Sequence, residues 1–170
     1  MPPDPITITP ADLTDDISRG LVAALNAELL GVYPEAGATH FEVDPAEVSG
    51  GRGVFLVVYQ GGTPVGCGAL RVLDGDENDD GVVTAELKRM YITPSARGAG
   101  LGRRLVIALE AEARRLGVHR LVLETGVRQA AALALYRATG FRPIPLYGEY
   151  LRSPETSICM GKGLAADENP

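Results

Sequence analysis

Cysteine and histidine each occur only twice in this chain, and no pairing of them has the spacing of a metal site, so no metal is expected. Cys67 and Cys159 read as reduced thiols, although two are enough for one disulfide. No apolar run is long enough to cross a bilayer. The opening residues, MPPDPITITP, lack the basic start and apolar stretch of a secretory signal, which points to a cytoplasmic protein without a membrane partner. Positive charge is in short supply. The net charge of −6 argues against a nucleic-acid partner, which needs a basic face, and permits a cationic substrate without requiring one. A linker and an internal repeat are missing too, so residues 1–170 are expected to form a single domain. Its 45% hydrophobic and 22% charged residues suit one domain with a real core.

What is present reads as mixed α/β. ITIT alternates like a short strand. Thr9 then suits an N-cap, with Pro10 at the first helical position and Leu13, Ile17, Leu21, Leu25 and Leu29 at helical spacing. Residues 31–52 read as loop with one short helix. VFLVVY and VGCGALRVL are strands around the turn QGGTP, and VVTAELKRMYITP is a longer strand closed by Pro94. A helix follows and ends at Gly117. RLVLET is a short apolar run that suits a strand covered on both faces. QAAALALYRAT is helical, and two strands around FRPIPLY and TSICMGK close the chain.

The stretch SARGAGLGRRL, residues 95–105, opens the central helix with three glycines. Glycine turns before helices hold phosphates through backbone N–H groups and the helix dipole. A P-loop would need Gly-Lys-Ser or Gly-Lys-Thr, which is absent. A dinucleotide turn would put a third glycine where Arg103 stands. The pattern that fits is [QR]-x-x-G-x-[GA], on Arg97, Gly100 and Gly102. Together with ALALYRATGF downstream, it makes residues 86–141 resemble the GNAT superfamily of acyl-coenzyme A-dependent N-acetyltransferases. The resemblance extends over roughly residues 54–162.

That resemblance implies a GNAT fold: a central, mostly antiparallel twisted sheet with one splayed parallel pair and flanking helices. It implies acetyl-coenzyme A as cosubstrate, with its pyrophosphate on Arg97, Gly98, Ala99, Gly100, Leu101, Gly102 and Arg103. It also implies a primary amine of a small molecule or peptide as acceptor, and leaves a homodimer open. The apolar positions Leu87, Met90 and Ile92 are spaced three and then two, so a β-bulge is expected near Lys88 and Arg89. By resemblance, the Met90 N–H would hold the acetyl oxygen, and the backbone of Met90 and Ile92 the pantetheine arm. Glu86 matches the catalytic glutamate, the general base, of the family's histone-acetyltransferase-like members, whereas other members place the base differently or rely on water. A glutamate paired with Lys88 or Arg89 on the sheet surface would look the same in sequence. Tyr136 matches the general acid that protonates the departing thiolate, although a core tyrosine would sit there equally well. Gln129 stands where many members have a cofactor-contacting asparagine, with Arg128 beside it as another phosphate contact.

Two rival readings remain at this point: a non-catalytic acyl-coenzyme A sensor, and an N-acyltransferase using a larger acyl group. DGDENDDG places Asp76, Asn78, Asp80 and Gly81 like the start of a calcium loop. The closing glutamate is replaced by Leu87, which favours a solvated turn. His40, in a segment that shapes the acceptor site in such enzymes, reads either as a base or, more in keeping with its place, as a plain loop histidine. Glu149, between Tyr147 and Tyr150, suits either an ammonium ligand or a dimer contact.

Overall fold

The computed structural model describes residues 1–75 and 80–165. Asp76 and Asn78 of the acidic turn lie outside the described residues. Asp80 pairs with Arg120 at 2.5 Å. Seven strands form one sheet: β1 (Ile6–Pro10), β2 (Gly53–Gln60), β3 (Thr63–Val72), β4 (Thr84–Ile92), β5 (Arg120–Gly126), β6 (Arg142–Ile144) and β7 (Ser157–Gly163). Their order is β1-β2-β3-β4-β5-β7-β6. Every neighbouring pair is antiparallel except β4 and β5. This is the mixed α/β fold that the sequence pattern implies.

Alternation in β2 sorts the two faces. Leu56 and Val58 join Leu105 and Leu109 of α2 (Leu101–Arg115), and Tyr136 of α3 (Ala130–Ala138) belongs to the same cluster. Phe55 and Val57 turn the other way and meet Leu21 and Leu25 of α1 (Asp16–Val32). Among the described residues, no helix is long and apolar enough to cross a membrane.

The first helix starts later than the Thr9–Pro10 signal implies. Thr9 pairs with Val57 and Pro10 with Leu56, so the proline closes an edge strand, where its missing N–H costs no ladder bond. The helix is capped instead by Asp15, whose carboxylate accepts the Ser18 N–H at 2.7 Å. The expected short helix in residues 31–52 is a 3-10 turn at Pro45–Val48.

Two irregularities open the middle of the sheet. Ala69 pairs with Lys88 and Cys67 with Tyr91, which leaves Arg89 and Met90 together opposite Gly68. This is the bulge the apolar spacing calls for. Arg89 has φ 54°, alone among the described non-glycine residues in being positive, a conformation that costs about 1–2 kcal/mol. In addition, β4 and β5 pair only from Thr84 with Arg120 to Leu87 with Leu123. Beyond that point the two strands part.

Candidate active site

Where the strands part, a cleft of about 550 Å³ runs between the end of β4 and the first turns of α2 and α3. Met90, Ile92, Arg97, Gly98 and Gly100 line one side of it, and Gln129 and Tyr136 the other. Leu101, Gly102 and Arg103 also border it, whereas Ala99 is exposed and outside the lining.

The three glycines of the loop have different physical tasks. Gly98 (φ 85°) and Gly100 (φ 77°) are left-handed, with open space where a Cβ would be, so backbone conformation selects them. At Gly102 a Cβ would stand 3.0 Å from Leu135 Cδ2, so close packing of α2 on α3 selects the third. Gly100 is the N-cap of α2 and supplies no side-chain cap. The N–H groups of Leu101, Gly102 and Arg103 precede the first helical bond, Arg104 N–H to Gly100 O at 3.2 Å. Such a terminus, with its partial positive charge, is a ready anion site.

The arginines divide into fixed and free. Arg97 donates to the Ile92 carbonyl and to Glu28, both at 2.8 Å, so its charge anchors the loop to β4 and α1. Arg128, the other expected phosphate contact, is held by Glu35 and the Val32 carbonyl. Its backbone N–H meets the Tyr33 hydroxyl at 2.8 Å. Arg103 is exposed at the rim of the cleft. Gln129 spends its amide oxygen on the Gly126 N–H at 2.9 Å, fastening the turn from β5 into α3.

Tyr136 is buried, and its ring meets Phe141 edge-on at 5.8 Å. Burial, with the Glu124 carboxylate nearby, pushes its phenol up, so it stays protonated. Glu86 is fully buried but does not line this cleft. It faces a second cavity of about 640 Å³, which Tyr147 and Tyr150 also line. One of its oxygens accepts Arg71 Nε at 2.9 Å and Nη2 at 2.8 Å, and the other accepts the Tyr147 hydroxyl at 2.5 Å. Its partner is thus Arg71 across the strand pair, not Lys88 or Arg89. Lys88 donates instead to Glu149 at 3.1 Å and to the Glu42 carbonyl.

Glu124 on β5 is a residue the sequence pattern does not single out. It lies one residue past the last paired position of β4 and β5, at the mouth of the splay. Partial burial pushes its carboxyl up to about 7, against the Ser157 hydrogen bond, with Glu86 adding to the rise and Lys88 and Arg89 opposing it. A carboxyl poised near neutrality beside a protonated phenol is an acid–base pair in waiting. The signal for it is present in RLVLET: one carboxylate near the end of an otherwise apolar, covered strand.

Residues 18–141 match the acetyltransferase (GNAT) family. The chain is 38% identical over 159 residues to an IAA acetyltransferase of Azospirillum brasilense, covering 94% of this chain and 98% of that one. It is 31% identical over 124 residues to an aminoglycoside N(6')-acetyltransferase type 1 of Stenotrophomonas maltophilia, with 70% and 79% covered. A crystal structure from Klebsiella pneumoniae, itself provisionally assigned as an acyl-CoA N-acyltransferase, superposes with a TM-score of 0.74 at 34% identity, over 94% of this chain and 98% of that one. A GNAT family acetyltransferase of Elizabethkingia anophelis with acetyl-CoA bound shares the fold at a TM-score of 0.65 and 19% identity, over 94% and 98%. A match spanning both sides of the cleft, on a fold held in common with solved acetyltransferases, makes this chain a member of the acetyltransferase (GNAT) family.

Proposed function

We propose that the protein transfers an acetyl group from acetyl-coenzyme A to a primary amine of a small molecule or peptide, by direct attack in a ternary complex. The observation that carries this reading is one cleft with an open helix N-terminus at one end and the Tyr136 phenol at the other, with the Glu124 carboxyl close enough to raise that phenol. The glycine loop and the first N–H groups of α2 would hold the pyrophosphate, and the backbone of Met90 and Ile92 the pantetheine arm.

The bulge takes Met90 out of the β3–β4 register, and its N–H would stabilise the thioester oxygen as it takes on charge, usually the largest catalytic contribution in acyl transfer. As the amine nitrogen bonds to the carbonyl carbon, the carbon–sulfur bond breaks. Glu124 accepts the amine proton, and Tyr136 gives its own proton to the departing thiolate. Glu124 suits the base role better than Glu86, because both oxygens of Glu86 are already engaged by Arg71 and Tyr147. Glu86 then serves to hold the loop containing Tyr147 against β4. The relatives from A. brasilense and S. maltophilia, the second an aminoglycoside acetyltransferase, support acetyl transfer and leave the acceptor open.

The test is thiol release from acetyl-coenzyme A against a panel of primary amines, followed by pH–rate profiles of two variants. Turnover with at least one amine is expected, and binding without turnover across a broad panel would favour the sensor reading. Glu124→Gln should lower turnover by about 10²–10⁴-fold and remove the limb that rises through about pH 7. Loss of that limb in Glu86→Gln instead would return the base role to Glu86.

A further inference from the structure

An acceptor amine that arrives as an ammonium ion surrenders two protons during acetyl transfer. One replaces the proton that Tyr136 gives to the thiolate, and the other must reach solvent in every turnover. Glu124 is partly buried at the splay of β4 and β5, so a proton placed there needs a route out.

The structure contains such a route. Ser157 is the diagonal neighbour of Glu124 across the β5–β7 pair and lies on the same face, which puts its hydroxyl within reach of the carboxyl. Ser157 Oγ lies 2.9 Å from Ser153 Oγ, and both serines are buried. Ser153 Oγ lies 2.8 Å from His40 Nε2. His40 Nδ1 stands 3.7 Å from Glu149, whose side chain is 38% exposed. Every step joins groups that can both give and receive a proton. The geometry is also fixed from outside the line. The Ser157 N–H bonds the Ser153 carbonyl at 3.0 Å, holding the two hydroxyls one turn apart. The His40 ring is set edge-on against Tyr150 at 4.9 Å, and its carbonyl accepts Arg89. Lys88 holds Glu149 in place.

We propose that Ser157, Ser153 and His40 conduct the acceptor's proton from Glu124 to Glu149 and solvent. Glu124 gives its proton to Ser157 Oγ, which passes its own to Ser153 Oγ, which passes its own to His40 Nε2. The Nδ1 proton then leaves toward Glu149. Each oxygen gains one proton and loses one, and only the net charge moves. The hydroxyls rotate back before the next turnover. His40 acts at a distance from the reacting atoms, so it is a positioning and conducting residue. This inference rests on Glu124 being the base.

Other titratable groups face the two ends of the line. Glu86, Lys88 and Arg89 of β4, Tyr33 at the end of α1, Tyr136 of α3, Cys159 of β7 and Tyr150 face Glu124. Glu149, Tyr150 and Ser153 face His40. None of these joins Glu124 to the surface through a comparable run of hydroxyls and ring nitrogens among the described residues.

The experiment compares His40→Ala, His40→Gln, Ser153→Ala and Glu124→Gln with the unsubstituted chain. Its readout is thiol release from acetyl-coenzyme A with whichever amine of the panel turns over fastest. Coenzyme A affinity by calorimetry identifies variants that have lost the fold, and Ser153→Ala, which deletes one oxygen, guards against a failure of His40→Ala. Both His40 variants and Ser153→Ala should lose about tenfold or more in kcat at unchanged KM for acetyl-coenzyme A, with added imidazole restoring His40→Ala. Glutamine keeps an acceptor for Ser153 but cannot pass a proton on. Full activity in His40→Gln, or a loss in His40→Ala that imidazole leaves untouched, would reduce His40 to a structural prop and overturn the relay. If Glu124→Gln collapses turnover while His40→Ala and Ser153→Ala do not, the relay falls and the base assignment stands. An active Glu124→Gln overturns both.

Discussion

The partial burial of Glu124 makes a thermodynamic demand that can be measured without any substrate. Desolvation, opposed by Ser157 and reinforced by Glu86, raises this carboxyl from 4.5 to about 7. Between those values the folded protein keeps a proton that the unfolded chain has released. The group's contribution to stability is therefore complete below 4.5 and is lost as pH rises through about 7. At about 1.4 kcal/mol per unit, the loss comes to about 3 kcal/mol. Glutamine has the shape of the protonated acid and never ionises. Glu124→Gln should therefore match the parent in stability near pH 4.5 and exceed it by about 3 kcal/mol above neutrality. Urea unfolding of both proteins at a series of pH values measures this difference, and the titrating groups remote from Glu124 cancel from it. Two parallel stability curves, with a gap that does not change with pH, would show that Glu124 does not titrate in this window. Glu124 would then not be a base poised near neutrality.

The cofactor end of the cleft can be tested at Gly100. With φ 77° and empty space around its missing side chain, Gly100→Ala should cost about 1 kcal/mol of stability by conformational strain, whereas Gly100→Glu should abolish coenzyme A binding by setting a negative charge at the pyrophosphate. Urea unfolding reads the first effect and calorimetry with coenzyme A the second, and retained affinity in Gly100→Glu would remove the loop from the site. Tyr136→Phe keeps the edge-on contact with Phe141 and deletes only the hydroxyl. Its kcat should fall by about 10²-fold with little change in affinity for coenzyme A, and an unchanged rate would take Tyr136 out of the mechanism.

Features that depend on near neighbours along the chain are legible in the sequence. The spacing of Leu87, Met90 and Ile92 locates the bulge, and the glycine pattern locates the open end of α2. The start of the first helix is not legible in the same way, because Pro10 suits the first turn of a helix and an edge strand equally well. Only the presence of β2 beside it decides between them. Most of the site chemistry lies between segments far apart in sequence. Arg97 and Arg128 look free in the sequence, but α1 and the turn after it bring Glu28 and Glu35 to them. Glu86 meets Arg71 only through the register of β3 on β4. Glu124 gains its character from burial between two neighbouring strands and from Glu86 on β4, with Ser157 opposing the rise, and the insertion of β7 between β5 and β6 brings that serine near. No periodicity in a single segment carries such information.

The left-handed turn at Arg89 has a consequence for any effort to engineer this protein. Its guanidinium is gripped by Asn26 of α1 at 2.5 Å and by the His40 carbonyl, and it sits over the Phe41 ring. The strained backbone that presents Met90 is thus clamped from the N-terminal third of the chain, a region that supplies none of the groups assigned to the cofactor's pyrophosphate or to the breaking thioester. Substitutions chosen there to raise melting temperature are not neutral bystanders. A tighter or looser hold on one arginine shifts the bulge at Met90, whose N–H is proposed to meet the thioester oxygen, so on that proposal thermal tolerance and turnover are adjusted by the same screw.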